Sequence, residues 1–451
     1  MRTWACIPAT TLFALMLAAC AVPEVELVAT IELGPPMMLV PQGLTGPDVP
    51  SIGIVDGNIL ALWSENRALS LRLGLDVYGQ WFTSDGARMG GRFFLGHSTG
   101  IRFRMAPRDG ALHFAFVGNG PTDNPDENDD ERLLRVAQVR PGEAPTLREV
   151  VVNLAERRVA SSTIGNQGWR GGVPARDTPL GVHMMVEASA DVDGCFDSTG
   201  AARGFLLNPD STQAEYAQWN EPVCAENAAG SFALVHTSGP SLGWVFRSPR
   251  GSPHSVYYAQ IDPAHLPSAS APTLVGGDPQ RLAPEGLPQL FAAYAGQGRI
   301  VVAHHESDYR ISATTCYRLR VLDDDGSHAH DAPWQLPCLR EGFDRWVTPL
   351  VDLEETSHGA LLAWSERSGP RDVGWGTDPV ATVRLRVALL TPNGTRGSEI
   401  IDVVRHDDSL PVEYAPMLAV DGEDIVVSYF DPLADPPGLY ARRVTLTATV
   451  Q

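Results

Sequence analysis

Asn58-Ile-Leu-Ala-Leu-Trp-Ser-Glu-Asn-Arg67 and Gly359-Ala-Leu-Leu-Ala-Trp-Ser-Glu-Arg-Ser368 are nearly the same string, though most of the chain lies between them. Ile300-Val-Val-Ala-His-His-Glu306 and Ile425-Val-Val-Ser-Tyr-Phe-Asp431 repeat the same apolar run ending in an acid. Self-similarity of this kind marks an array of copies. The runs are short and β-branched, Gly (43) and Pro (36) are abundant, and no 3.6-residue periodicity is sustained, so the chain reads as all-β.

The order within a copy follows from the turns. An apolar strand, A, reaches a tight turn, and strand B then runs to the terminal acid. The A–B turns read as Asp56-Gly57, Asp109-Gly110, Gly296-Gln-Gly298 and Asp421-Gly422. Asp-Gly between two strands supplies the positive φ angles of a two-residue hairpin. Strand C follows a variable loop and meets strand D at a second turn: Leu75–Phe82 at Asp85-Gly86, Cys316–Leu322 at Asp325-Gly326, Val383–Leu390 at Asn393-Gly394. Four antiparallel strands at a period of ~50–65 residues are the pattern of a β-propeller blade. The copies fall near 50–100, 101–155, 156–228, 229–283, 284–346, 347–411 and 412–451. This gives seven four-stranded blades, or six if copy three, whose A strand is hard to place, is not one. The last copy has three good strands, and Val25–Leu33 is the expected fourth, closing the ring and removing its open edge.

The N-terminus has its own logic. Arg2, the apolar Leu12-Phe-Ala-Leu-Met-Leu17 and the small residues after it describe a secretion signal, too short to span a membrane. Leu17-Ala-Ala-Cys20 resembles the lipobox of bacterial lipoproteins. That resemblance implies cleavage before Cys20 and lipidation of its thiol and amine, several acyl chains being enough for a stable anchor. Residues 1–19 are then signal, 20–24 a lipidated tether and 25–451 the propeller. Ala21 stands where inner-membrane retention signals place Asp, so the expected address is the bacterial envelope, at the outer membrane if the cell is Gram-negative. Trp81-Phe-Thr-Ser-Asp-Gly-Ala-Arg-Met-Gly-Gly91 resembles the C–D hairpin of repeat units in secreted bacterial β-propeller proteins, a motif that implies fold and display but no catalytic residue. The Asp-box of sialidases does not occur in the sequence.

A net charge of −20, with no Lys, argues against nucleic acid as a partner, because that interface needs a basic patch. Outside the signal and the anchor, Cys195, Cys224, Cys316 and Cys338 remain, an even number that suits an oxidising compartment. Two of the three pairings need distant copies to meet. Cys195–Cys224 and Cys316–Cys338 instead join the start of strand C to the end of strand D within one blade, each contributing about 2–4 kcal/mol.

Tight A–B and C–D turns share one face of the ring, so the long B–C and D–A loops share the other, and loops on a rigid scaffold are where binding resides. The candidate ligand residues on that face are Glu65, Arg247, Glu306, Tyr309, Arg310, Glu366, Arg371, Trp375 and Asp431. Several are acids at the end of strand B (Glu65, Glu187, Glu306, Glu366, Asp431). They read either as a carboxylate ring at the channel mouth or as acids bonded to neighbouring loop amides. Trp63 and Trp364 read as packing between blades. Asp126, Asn128 and Asp130, and Asp191 with Asp193, alternate like calcium ligands. Glu131, Ala137 and Cys195 break the EF-hand pattern, leaving a solvated acidic loop as the other reading. His304 and His305 point to opposite faces of a strand and do not share a metal. No cofactor is required. The expected function is a surface-anchored protein binding an envelope glycan or protein; the alternative is a glycosidase or lyase on the same scaffold, for which no ordered catalytic set is visible.

Overall fold

The computed structural model describes residues 28–41, 51–65, 75–98, 103–119, 132–150, 153–154, 157–158, 175–190, 201–207, 223–224, 232–248, 255–264, 273–276, 290–308, 314–337, 345–368, 381–409 and 414–449. Every regular element among them is a strand. Six sheets are each built from four consecutive strands, and a composite sheet brings the ring to seven. The blades are Ser51–Val55, Asn58–Glu65, Leu75–Phe82 and Arg88–Ser98; Ala106–Arg108, Ala111–Asn119, Arg132–Val139 and Thr146–Val150; and Ala175–Thr178, Gly181–Ala190, Ala201–Leu207 and Val223–Cys224. They continue as Phe232–His236, Leu242–Ser248, Ser255–Ile261 and Thr273–Gly276; Leu290–Gly296, Arg299–Asp308, Thr314–Asp323 and Ala329–Asp331; and Arg345–Thr356, Gly359–Ser368, Ala381–Leu390 and Ile401–Ser409. Ala175–Thr178 is the A strand of copy three. Asn153–Leu154 and Arg157–Arg158 form a small ribbon between blades two and three.

Blade seven joins Met417–Asp421, Asp424–Asp431 and Gly438–Ala448 to N-terminal strand Ala29–Leu33, as expected, although the closure is longer than Val25–Leu33. Met37–Pro41 continues along the same edge, so Ala29 faces Ala448 and Pro41 faces Gly438. Gly34-Pro35-Pro36 interrupts the ladder only at this outermost position, where a missing proline N–H removes no interior hydrogen bond. The A strands of successive blades touch one another all the way round, from blade one through blade seven and back, and so line the axis.

The B strands are buried along their length because a blade covers each side. Gly359–Glu366 is an example, and this is why B strands read as unbroken apolar runs. The core lies between blades. Trp364 packs with Phe291, Leu319 and Trp334 between blades five and six, and Trp63 packs with Leu39, Ile52 and Met417 between blades seven and one. Cutting Trp364 to Ala would cost about 3–5 kcal/mol.

The turns repeat a local chemistry. Asp56, Gly57, Asp109, Gly110, Gln297 and Gly298 all have positive φ, as two-residue hairpins require. At the C–D turns the N–H of Gly86, Gly326 and Gly394 donates to the carbonyl three residues back at 2.9, 2.8 and 2.9 Å. Blade seven corrects one boundary: its A–B turn is Gly422-Glu423, because Asp421 pairs with Asp424 and stays in the ladder.

Candidate functional site

An inner strand has an unpaired edge, and its N–H groups need partners. Side chains of neighbouring blades supply partners on these strands and in the residues flanking them. Leu418 N–H donates to Asp352 Oδ2 at 2.7 Å, Phe103 N–H to Ser51 Oγ at 2.6 Å, and Asp56 N–H to Asp421 Oδ2 at 2.9 Å. The short turns interlock in the same way. Asp324, on the C–D turn of blade five, accepts the Ser238 N–H from blade four at 2.6 Å, and its carbonyl accepts Gln260 at 2.6 Å. Hairpin and inter-blade bonding therefore account for the run Asp323-Asp324-Asp325. Arg443 reaches from blade seven to the carbonyls of Ser84 at 3.0 Å and Gly57 at 2.8 Å on blade one. These contacts bond blade four to blade five and blade seven to blade one at the turn face.

The axis holds a set of charges that links opposite blades. Arg104, just before the A strand of blade two, bonds through both terminal guanidinium nitrogens to Asp352 of blade six. It also donates to Glu354 at 2.9 Å and lies over the Phe291 ring of blade five at 5.8 Å. Arg104 is 9% exposed and Asp352 0%. Burial alone opposes the guanidinium charge, but Asp352 and Glu354 outweigh it and hold the group more basic than a free arginine. The second Glu354 oxygen meets Arg176 of blade three at 3.1 Å. Nearer the turns, Arg108 pairs with Asp177 at 2.5 Å.

His236 of blade four completes the set. Its Nδ1 lies 2.7 Å from Glu355 and its Nε2 lies 2.6 Å from the carbonyl of Asp177. Both neighbours are acceptors, so only the imidazolium satisfies both. Burial opposes that charge and Arg176 repels it, but Glu355 prevails and the pKa is raised. With His236 protonated, Arg104, Arg108, Arg176 and His236 balance Asp177, Asp352, Glu354 and Glu355.

The bases of the loop face differ. Glu366, 2% exposed, accepts from Trp364 Nε1 at 3.4 Å and Arg386 at 3.3 Å, and Arg386 also binds Asp402 at 2.7 Å. Asp431, 3% exposed, accepts the N–H groups of Leu433 at 3.0 Å and Ala434 at 3.2 Å and the Tyr414 hydroxyl at 3.4 Å. His406 Nε2 lies 3.1 Å from its other oxygen. Burial and the adjacent Asp431 push the Tyr414 hydroxyl above its ordinary range, and burial pushes Tyr429 up to about 12. At Asp431, the reading as an acid bonded to loop amides is the one that holds.

Of the other candidates, Glu65 ends its B strand, Arg247 faces Val256, and Glu306 faces Cys316. Cys224 lies on a D strand opposite Ala201. Tyr309, Arg310, Arg371, Trp375, Asp126, Asn128, Asp130, Asp191, Asp193, Cys20, Cys195 and Cys338 lie outside the described residues. Sequence reasoning missed the axial set. One signal was present: Asp352-Leu-Glu354-Glu355 places three acids on an innermost strand, where burial demands cationic partners.

No family model and no curated protein matches the sequence. Among solved structures, a Trypanosoma rangeli sialidase with the inhibitor DANA is 11% identical with a TM-score of 0.38, covering 90% of this chain. The chain spans only 55% of that sialidase. The parainfluenza virus 5 hemagglutinin-neuraminidase ectodomain is 10% identical with a TM-score of 0.42, covering 97% of this chain and 95% of its own. A structure from a study of two prolyl endopeptidases is 11% identical with a TM-score of 0.43, covering 97% of this chain and 52% of its own. These likenesses name no reaction for this chain.

Proposed function

We propose that the protein is a lipid-anchored component of the bacterial envelope whose loop face binds an envelope glycan or protein. The observation that carries this reading is the inequality of the ring's two ends. Short turns bond blade to blade on one face, and Arg104 crosses the axis behind them. Every B–C and D–A connection leaves from the opposite face, while the turn face carries the A–B turns, the short C–D turns and the two longer C–D connections 208–222 and 262–272. In this reading Glu65, Arg247, Glu306, Tyr309, Arg310, Arg371 and Trp375 contribute to the ligand surface. Glu366 and Asp431, already bonded, hold the loop bases in place. Asp126, Asn128, Asp130, Asp191 and Asp193 are the residues through which calcium would act.

The test exposes soluble residues 21–451 to a panel of end-labelled glycans, with calcium and with chelator, recording retention and cleavage together. Retention of intact glycan supports the proposal, and loss of retention in chelator assigns calcium to the loops. Cleaved product replaces it with the glycosidase or lyase alternative. Failure to retain any glycan removes the glycan half and leaves a protein ligand.

A further inference from the structure

The N-terminal strand enters the ring from a definite side. In blade seven the B strand leaves the Gly422-Glu423 turn and rises to the loop face, so the C strand returns and Ala448 lies at the turn face. Ala29 pairs with Ala448 and Pro41 with Gly438, so the closing strand starts on the turn face and ends on the loop face. Val28 is fixed at that start. Its N–H donates to Gly397 O at 2.9 Å, its carbonyl accepts Thr449 N–H at 3.0 Å, and Gly397 belongs to the C–D turn segment of blade six. A Cβ on Gly397 would stand 2.8 Å from Val28 Cγ2, so the approach is close.

We infer that the lipid surface lies against the turn face and that the loop face points away from it. The inference rests on the proposed anchor at Cys20. Eight residue steps separate Cys20 from Val28, and eight extended residues reach at most ~29 Å. An eight-residue strand such as Asp424–Asp431 is itself ~26 Å tall. A tether starting at the turn face would use nearly its whole length climbing the ring, with none left to place the lipid beneath the loops. The opposite orientation needs no climb.

The chemistry of the turn face agrees with tethering rather than adsorption. Ser84, Asp85, Asp325, Ser327 and Glu423 are exposed there, and anionic headgroups attract basic segments, not acids.

The experiment uses the full lipidated chain in phosphatidylcholine vesicles containing a headgroup-labelled acceptor lipid. A donor dye is attached at Ser84→Cys or Glu423→Cys on the turn face, or at Asp407→Cys beside the loop face, with unsubstituted protein as the labelling blank. Energy transfer to the lipid should be several-fold greater from the turn-face sites. Equal or reversed transfer from vesicle-bound protein overturns the orientation. Co-flotation of a Cys20→Ala form, or failure of the full chain to float, overturns the anchor instead, so the two failures are distinct.

Discussion

Two groups of buried carboxylates sit at opposite ends of this ring. Asp352, Glu354 and Glu355 lie on the inner strand of blade six and find their cations on blades two, three and four. Glu366 and Asp431 end B strands and find partners in their own blade or the adjacent one. The first group therefore ties together blades that are remote around the circle. The second anchors the start of a single loop. Asp352 and Glu354 are buried much as Glu366 and Asp431 are, and Glu355 is half-buried, so reach separates a clasp of the whole ring from a local brace.

The largest effect should separate the two at once. Arg104→Ala leaves Asp352 buried and stripped of its cation, which is expected to cost about 3–5 kcal/mol in denaturant unfolding. Asp431→Ala removes an acceptor from two loop amides and His406. It is expected to cost about 1–3 kcal/mol, with faster hydrogen exchange confined to residues 432–437. An Asp431 effect as large and as global as that of Arg104 would erase the distinction.

The next prediction concerns pH. The folded pKa of His236 is raised above its unfolded value, so its contribution to stability is complete below about pH 6.5 and is lost as pH rises through the folded pKa. The stability gap between wild type and His236→Gln should therefore be widest in mild acid and narrow in alkali. A gap that widens with pH would show that the imidazolium is not what Glu355 holds. The smallest effect belongs to Arg405 with Asp407, an exposed pair on an outer strand. Arg405→Ala should leave the unfolding midpoint within error, since such pairs are screened by solvent.

The fold was largely legible because it is repetitive. Trp63 and Trp364 recur at one position of their copies, the turns at Gly86, Gly326 and Gly394 share one geometry, and the N-terminal strand was demanded by an incomplete last blade. The axial set was not legible for the opposite reason. Arg104 precedes the inner strand of blade two, Arg176 and His236 lie on those of blades three and four, and a clasp across a circle depends on which blades face each other. Repetition also drew attention to Glu366 and Asp431, whose recurrence reflects similar local bonding. At blade seven, the turn was misplaced by one residue because Asp421 serves blade one and so remains in its strand.

The most direct test of the clasp is a double-mutant cycle on Arg104→Met and Asp352→Asn, read by denaturant unfolding. The asparagine oxygen still accepts the Leu418 N–H, so the cycle isolates the contact across the axis. The geometry predicts a coupling of about 2 kcal/mol or more, with the double variant less damaged than the two single losses together. Additivity within about 0.5 kcal/mol would mean that the two residues do not meet, and that the ring is not closed across its centre as described.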